Sequence, residues 1–265
     1  MAGLTILVCV SLTALFAPWL APHDPFEQHL LERRQPPSVK HPLGLDELGR
    51  DNLSRVIYGA RLSLRVGVTS VLLAVAAGAL FGAVAGYQSG WLDSLIMSLM
   101  DVILAFPTLL LAIVVIVVLG RGLTSVLYAV AFTAIPTYTR LMRVGVLTVK
   151  EREYVLAARA IGVSPGRLLW HHILPACLIP LQVQAMLGVG TAILEAAGLS
   201  FLGLGAQPPT PEWGAMLGQG RGAIFAAPHI VLFPGLAIML TVLGFNLLGD
   251  GLRDVLDPRI RTIAS

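Results

Sequence analysis

Long apolar runs separated by polar breaks set the plan of this chain. Residues 3–20, 66–87, 95–119, 123–142, 176–199 and 230–248 are six such runs. Each is near the ~20 residues that a helix needs to cross a hydrocarbon core of ~30 Å. All are too long for strands and rich in Leu, Val, Ala and Gly, so the pattern predicts helices. Lipid offers no partner to unpaired backbone groups, so the expected architecture is an all-α bundle of six membrane spans, one domain over residues 1–265. The first run also has the length of a secretory leader. No Lys or Arg precedes it and no clear A-x-A site closes it, so it reads as an uncleaved span.

The polar breaks carry the rest of the pattern. The break at 23–65 begins in a stretch, Pro22 to Pro42, that carries five prolines, which forbids regular helix there. Residues 46–63 then alternate charged and apolar positions and read as an interfacial helix leading into the second span. The break at 203–228 contains Gln207-Pro-Pro-Thr-Pro-Glu-Trp213, a loop for the same reason as the first. Residues 150–174 form a short basic, helix-prone island. In the second run, Gly78, Gly82 and Gly86 make consecutive GxxxG patterns that let helix backbones approach closely.

Composition agrees with a lipid-facing surface. The chain is 56% apolar and 12% charged, with a mean hydropathy of +0.80, against roughly 25% charged in an average soluble domain. A net charge of +3 does not point to nucleic acid. Cys9 and Cys177 are far apart and read as packing residues, not as a redox or zinc motif. His171-His172 point about 100° apart on a helix, so no metal is expected there. No GxxxxGK[ST] phosphate loop occurs, and neither Lys40 nor Lys150 follows a glycine. No GxSxG nucleophile motif occurs. Neither ATP binding nor catalysis is expected of this chain, and no cofactor. Charge does not orient the bundle, because nine basic residues fall on each side of it.

Within the island, Glu151 and Glu153 in the first turn and Arg159 in the last suit the dipole of a helix over 151–161. Gly162 is placed to end it in the left-handed conformation. Ser164-Pro165 is placed to start a second helix, as N-cap and first position, and Leu174-Pro175 to stop it. Ala157 and Ala158 would let a partner approach, with Tyr154, Ile161 and Leu168 as apolar contacts. Two carboxylates fall inside spans: Asp101, expected near one end, and Glu195, which either lines a path or bonds to another subunit. Pro107 and Pro136 are expected kinks.

The spacing of Ala157-Ala158, Gly162 and Leu174-Pro175 resembles the EAA loop of ABC importer permeases, with Leu156 at the motif glutamate and His172 at its isoleucine. Residues 41–61, 101–107, 198–214 and 246–259 resemble, in the same order, the C-type permeases of dipeptide, oligopeptide and nickel importers. The resemblance implies a multi-pass permease of the type I importer fold in a bacterial or archaeal cytoplasmic (inner) membrane, with both termini cytosolic. It implies a second, related permease as heterodimer partner, two cytosolic ATPases as the energy source and an extracytoplasmic solute-binding protein. Loop 150–174, with Glu153, Tyr154, Ala157, Ala158, Arg159, Gly162, Leu174 and Pro175, would couple to the ATPases. Segments 23–65 and 203–228 would face outward. Peptide is the implied cargo; nickel or another small solute is the alternative within the family. A self-sufficient secondary transporter is a further alternative, and it predicts an inverted repeat that the sequence does not display.

Overall fold

The computed structural model describes residues 1–256. The end of the tail match, from Asp257, and the basic Arg259 and Arg261 lie outside them. No strand forms among the described residues; a single isolated bridge pairs Leu45 with Asp51. Eleven α-helices follow one another among the described residues: α1 Ala2–Leu15, α2 Ala17–Leu20, α3 Asn52–Gln88, α4 Gly90–Leu104, α5 Thr108–Leu119, α6 Leu123–Val149, α7 Glu153–Ala160, α8 Pro165–Arg167, α9 Leu174–Phe201, α10 Trp213–Gly220 and α11 His229–Leu256. Among the described residues, three continuous helices are long and apolar enough to cross a membrane: Asn52–Gln88, Pro165–Phe201 and His229–Val255. The α4–α5 pair makes a fourth if counted as one bent span.

Three expectations change. The run at 95–119 is not one helix: α4 and α5 meet at 94° across Ala105-Phe106-Pro107. Proline disfavours helical geometry in the residue before it, so the chain leaves α4 there and restarts with Pro107 as the N-cap of α5. The helix expected at 46–63 starts only at Asn52 and is not a separate element. It forms the head of α3, which runs for 37 residues, about 55 Å, some 25 Å more than a hydrocarbon core needs. Its charged first turns project beyond the apolar stretch rather than lying along an interface. The 203–228 break, in turn, encloses the helix α10.

Close approach of α3 to α6 organises the bundle. A Cβ on Gly78 would sit 2.6 Å from the Tyr138 Cβ, and one on Gly86 would sit 2.9 Å from the Arg143 carbonyl and the Val146 Cβ. Gly82 is tighter still against Thr139 and Met142. Small residues at a four-residue spacing thus replace side-chain volume by backbone contact, the main packing gain available between helices in lipid. Of the three apolar clusters among the described residues, the two that contain α3 and α6 are the extensive ones, and the third is a small patch of Ala223, Ala227 and Ile230. The larger joins α1, α3, α5, α6, α9, α10 and α11; the smaller joins Ala83, Met142, Val146 and Cys177 to the 150–174 loop.

Candidate functional site

The loop is a hinged pair of helices keyed into the smaller core. In α7, Glu153 lies in the first turn and Arg159 in the last; Glu151 falls in the turn before the helix. Gly162 closes α7 at φ +86°. The Val163 amide donates to the Ala158 carbonyl (3.1 Å) and the Gly162 amide to that of Arg159 (3.0 Å), a Schellman cap that satisfies two end carbonyls. Ser164 caps α8 through its backbone, its carbonyl accepting from the Leu168 amide at 2.9 Å, with Pro165 in the first turn.

Leu174-Pro175 does not stop the helix, contrary to expectation. Residues 168–173 widen into a π turn, in which the Leu174 amide reaches the Leu169 carbonyl five residues back. Proline lacks an N–H and crowds the carbonyl four residues before it; the wider turn relieves both, so α8 runs on into α9.

Packing divides the loop residues between two faces. Val155, Ala158, Leu168 and Ile173 are buried in the smaller core, so Ala158 and Leu168 face the chain's own bundle rather than a partner. Ala157, Arg159, Tyr154, Leu156, Ile161 and Trp170 face out, Ile161 at 83% and Trp170 at 67% exposure. Glu153 and Pro175 are also exposed, and Leu174 is half-buried. The Tyr154 hydroxyl donates to the His172 carbonyl and the Tyr87 hydroxyl to that of Pro165, each at 3.1 Å. These bonds tie α7 to the π turn and the loop to the end of α3.

A charged belt surrounds the same end of the bundle. Arg143 grips Asp93 with two nitrogens, one at 2.6 Å. The Lys150 ammonium donates to the Gly86 carbonyl (3.1 Å) and the Ser89 hydroxyl (2.9 Å). Asp101 pairs with Arg140, both exposed. Asp93 escaped the sequence reading because it sits just outside an apolar run, and its partner is 50 residues away.

Glu195 lies elsewhere, on a partly open cavity of about 170 Å³ lined by residues of α3, α4, α5, α6 and α9. Ser70, Thr133, Thr137, Tyr138 and Gln184 are among its walls, and none of the lining residues is Lys, Arg or His. Gly188 leaves room for the Tyr138 hydroxyl against α9. Glu195 is half-buried and has no hydrogen bond or ion pair within the chain among the described residues. Asp101 and Glu195 therefore belong to different places, one on the charged belt and one on the cavity.

The opposite end of the molecule is a wired cap. Asp46 faces Arg50 at 2.7 Å and Arg55 at 3.4 Å, all three buried. Arg55 donates to the carbonyls of Pro25 (3.0 Å) and Pro209 (3.2 Å), and Asn52 to that of His229 (3.0 Å). Arg55 and Asn52 thus hold the loops at Pro25 and Pro209 and the start of α11 onto the head of α3. Asp51 caps that helix, accepting from the Ser54 amide (2.8 Å) and hydroxyl (2.7 Å), and its other oxygen faces His41 Nδ1 at 2.9 Å. His23, His41 and Asp51 have metal-type ligand atoms within 4.8 Å of one another, which the sequence reading missed because His23 is distant in the chain. The capping bonds account for the place of Asp51. Glu212 caps α10 through the amides of Gly214 and Ala215, both at 2.9 Å. Burial pushes its carboxyl above the ordinary range, against the lowering effect of those bonds. Glutamate is not a usual N-cap, so the sequence concealed α10.

Comparison with known proteins places the geometry. Residues 78–262 match the family model of the binding-protein-dependent transport system inner membrane component, and residues 1–37 that of the N-terminal TM domain of oligopeptide transport permease C. The chain is 50% identical over 260 residues to the dipeptide transport system permease protein DppC of Alkalihalophilus pseudofirmus, covering 98% of this chain and 86% of that one. It is 48% identical over 270 residues to the di/tripeptide permease protein DppC of Pseudomonas aeruginosa, covering 100% and 89%. It is 49% identical over 264 residues to the glutathione transport system permease protein GsiD of Escherichia coli, covering 98% and 86%. In fold it is similar to a chain of the inward-facing MetNI methionine ABC transporter, with a TM-score of 0.63 at 18% identity, over 77% of this chain and 98% of that one. An apolar helical bundle, a loop keyed to one end and matches over nearly the whole length lead to one conclusion: the chain is a multi-pass membrane protein that belongs to the inner-membrane permease components of binding-protein-dependent ABC importers.

Proposed function

We propose that this chain forms half of the translocation pathway of a peptide importer and receives force from a cytosolic ATPase at loop 150–174. The observation that carries the reading is the loop's two-sidedness. One face is locked into the core through Val155, Leu168 and Ile173, while Ile161, Trp170 and Ala157 stand free. A rigid inner face transmits displacement to α6 and α9, and an exposed apolar tip gives another protein something to grip. Glu153, Tyr154, Arg159 and Gly162 belong to this coupling element, and Leu174-Pro175 joins it to α9. The curated relatives' names favour di- and tripeptides as cargo, with glutathione in the same chemical class. Nothing observed favours nickel or unaided secondary transport.

In this reading six spans, with α1–α2 as the first and the bent α4–α5 pair as the third, put both termini in the cytosol. Two ATPases and a second permease complete the machine, and the chain itself hydrolyses nothing. The cap of residues 23–51 and 203–228 faces outward. There Leu31, Val39 and Phe225 are fully exposed and suit docking of the solute-binding protein. Closure of the ATPases around ATP would pull the loop and open the pathway outward; hydrolysis would reset it. Ile161→Asp is expected to strip the ATPases from the purified complex while the second permease stays bound. Retention of both ATPases would refute docking at this tip, and labelling of a Ser164→Cys variant from outside the cell would refute the orientation.

A further inference from the structure

We infer that Glu195 and the cavity it lines form a binding patch for the protonated amino group of the cargo as it passes between the two permeases. The inference rests on reading the chain as an importer permease, and it adds which group of the cargo this half recognises.

Four observations converge on it. The cavity straddles the middle of the apolar stretches, with Thr108 and Thr133 at mid-run, Tyr138 and Gln184 on the side of loop 150–174, and Ser70 and Glu195 toward the opposite end. Its volume of about 170 Å³ would hold roughly five waters, or a fragment the size of one amino-acid residue. Its polar walls are neutral apart from Glu195: the hydroxyls of Thr108, Thr133, Thr137 and Tyr138 and the amide of Gln184 accept or donate hydrogen bonds but carry no charge. Glu195 has no cationic partner within the chain among the described residues, whereas Asp93 and Asp101 each have one and Asp46 has two.

A carboxylate in a partly dehydrated cavity, with no internal counter-ion, presents an attractive field to one kind of ligand group, a cation with N–H donors. An α-ammonium fits that description, and the surrounding hydroxyls and amide suit the peptide N–H and C=O next to it. The cargo's carboxylate is repelled from this wall and would point toward the partner permease or the pathway mouth.

The test uses the assembled importer in proteoliposomes, with both permeases, the ATPases and the peptide-loaded binding protein. Cys9→Ser removes the exposed native thiol, while the buried Cys177 stays unreactive, and Thr137→Cys places a probe in the cavity. A positively charged methanethiosulfonate is expected to label that cysteine about tenfold faster than a negatively charged one. Glu195→Gln should bring the two rates within about twofold, and Glu195→Asp should preserve the difference. Dipeptide uptake should fall about tenfold or more in Glu195→Gln, the effect of losing one charge-assisted hydrogen bond, and stay near wild type in Glu195→Asp. ATP hydrolysis stimulated by the binding protein should persist in both. Equal labelling rates in the wild type, no labelling at all, or full uptake by Glu195→Gln would each overturn the inference. Loss of the second permease from purified Glu195→Gln would overturn it too, by making Glu195 a subunit contact. Absence of ATP-driven uptake in the wild type would instead overturn the importer reading beneath it.

Discussion

Replacing Gly162 by valine isolates the hinge of the coupling loop. The glycine holds φ +86°, and a Cβ built there would meet nothing within 4 Å. The substitution therefore costs no packing, and its whole penalty is backbone strain, about 1–3 kcal/mol for a side chain forced into left-handed geometry. Two Schellman bonds, to Ala158 and Arg159, depend on that geometry. At ~2 kcal/mol the native loop conformation loses roughly thirtyfold in population against a re-angled one, enough to misplace Ile161 at the tip. Val155, Leu168 and Ile173 remain anchored, so the bundle is expected to assemble normally. The assay is uptake and ATP hydrolysis measured together in proteoliposomes: uptake should fall about tenfold or more while hydrolysis continues. Asparagine tolerates the left-handed region, so Gly162→Asn should restore most coupling. Gly166→Ala, in the same loop with an ordinary φ and open space around it, should be neutral. Equal uptake by Gly162→Val and wild type, or equal damage from Gly166→Ala, would refute the argument.

Other sites give sharper structural tests. Gly82→Leu puts bulk against the backbone of α6 and should cost at least about 1–3 kcal/mol of overpacking, read as a lower unfolding temperature and poor recovery of assembled complex. Ile173→Ala empties a fully buried position beneath the loop and should destabilise by about 2–5 kcal/mol, with faster proteolysis at residues 150–165. Glu212 binds its proton more tightly when folded than when unfolded. Its contribution is therefore most favourable below the ordinary glutamate value and is lost as pH rises through the raised folded value. The stability difference between wild type and Glu212→Gln should accordingly shift in favour of wild type on acidification from neutral pH, as followed by thermal unfolding at several pH values; a constant difference would contradict the assignment. Asp93→Asn should free Arg143 and loosen the end of α4, seen as faster amide exchange at residues 88–95.

Membrane residence, helical architecture and the location of the loop are all legible in the sequence because they depend on local order. An apolar run in lipid must satisfy its backbone internally and so forms helix, even where Pro107 breaks one such run into two, and Gly162, Ser164 and Pro165 mark helix ends through their own dihedral preferences. Gly78, Gly82 and Gly86 likewise announced a close helix contact, though not that α6 would fill it. What the tertiary structure decided is everything that needs a second segment. Whether Ala158 and Leu168 point inward depends on a core built by α3, α6 and α9. Whether Pro175 ends a helix depends on a π turn that packing sustains. Whether 46–63 lies along an interface depends on Arg55 finding the carbonyls of Pro25 and Pro209, the second of them 154 residues away. Glu195 was visible as a carboxylate in an apolar run, but its unpaired state and polar cavity exist only once five helices meet, since the field at a charge is set by neighbours in space and not by neighbours in sequence.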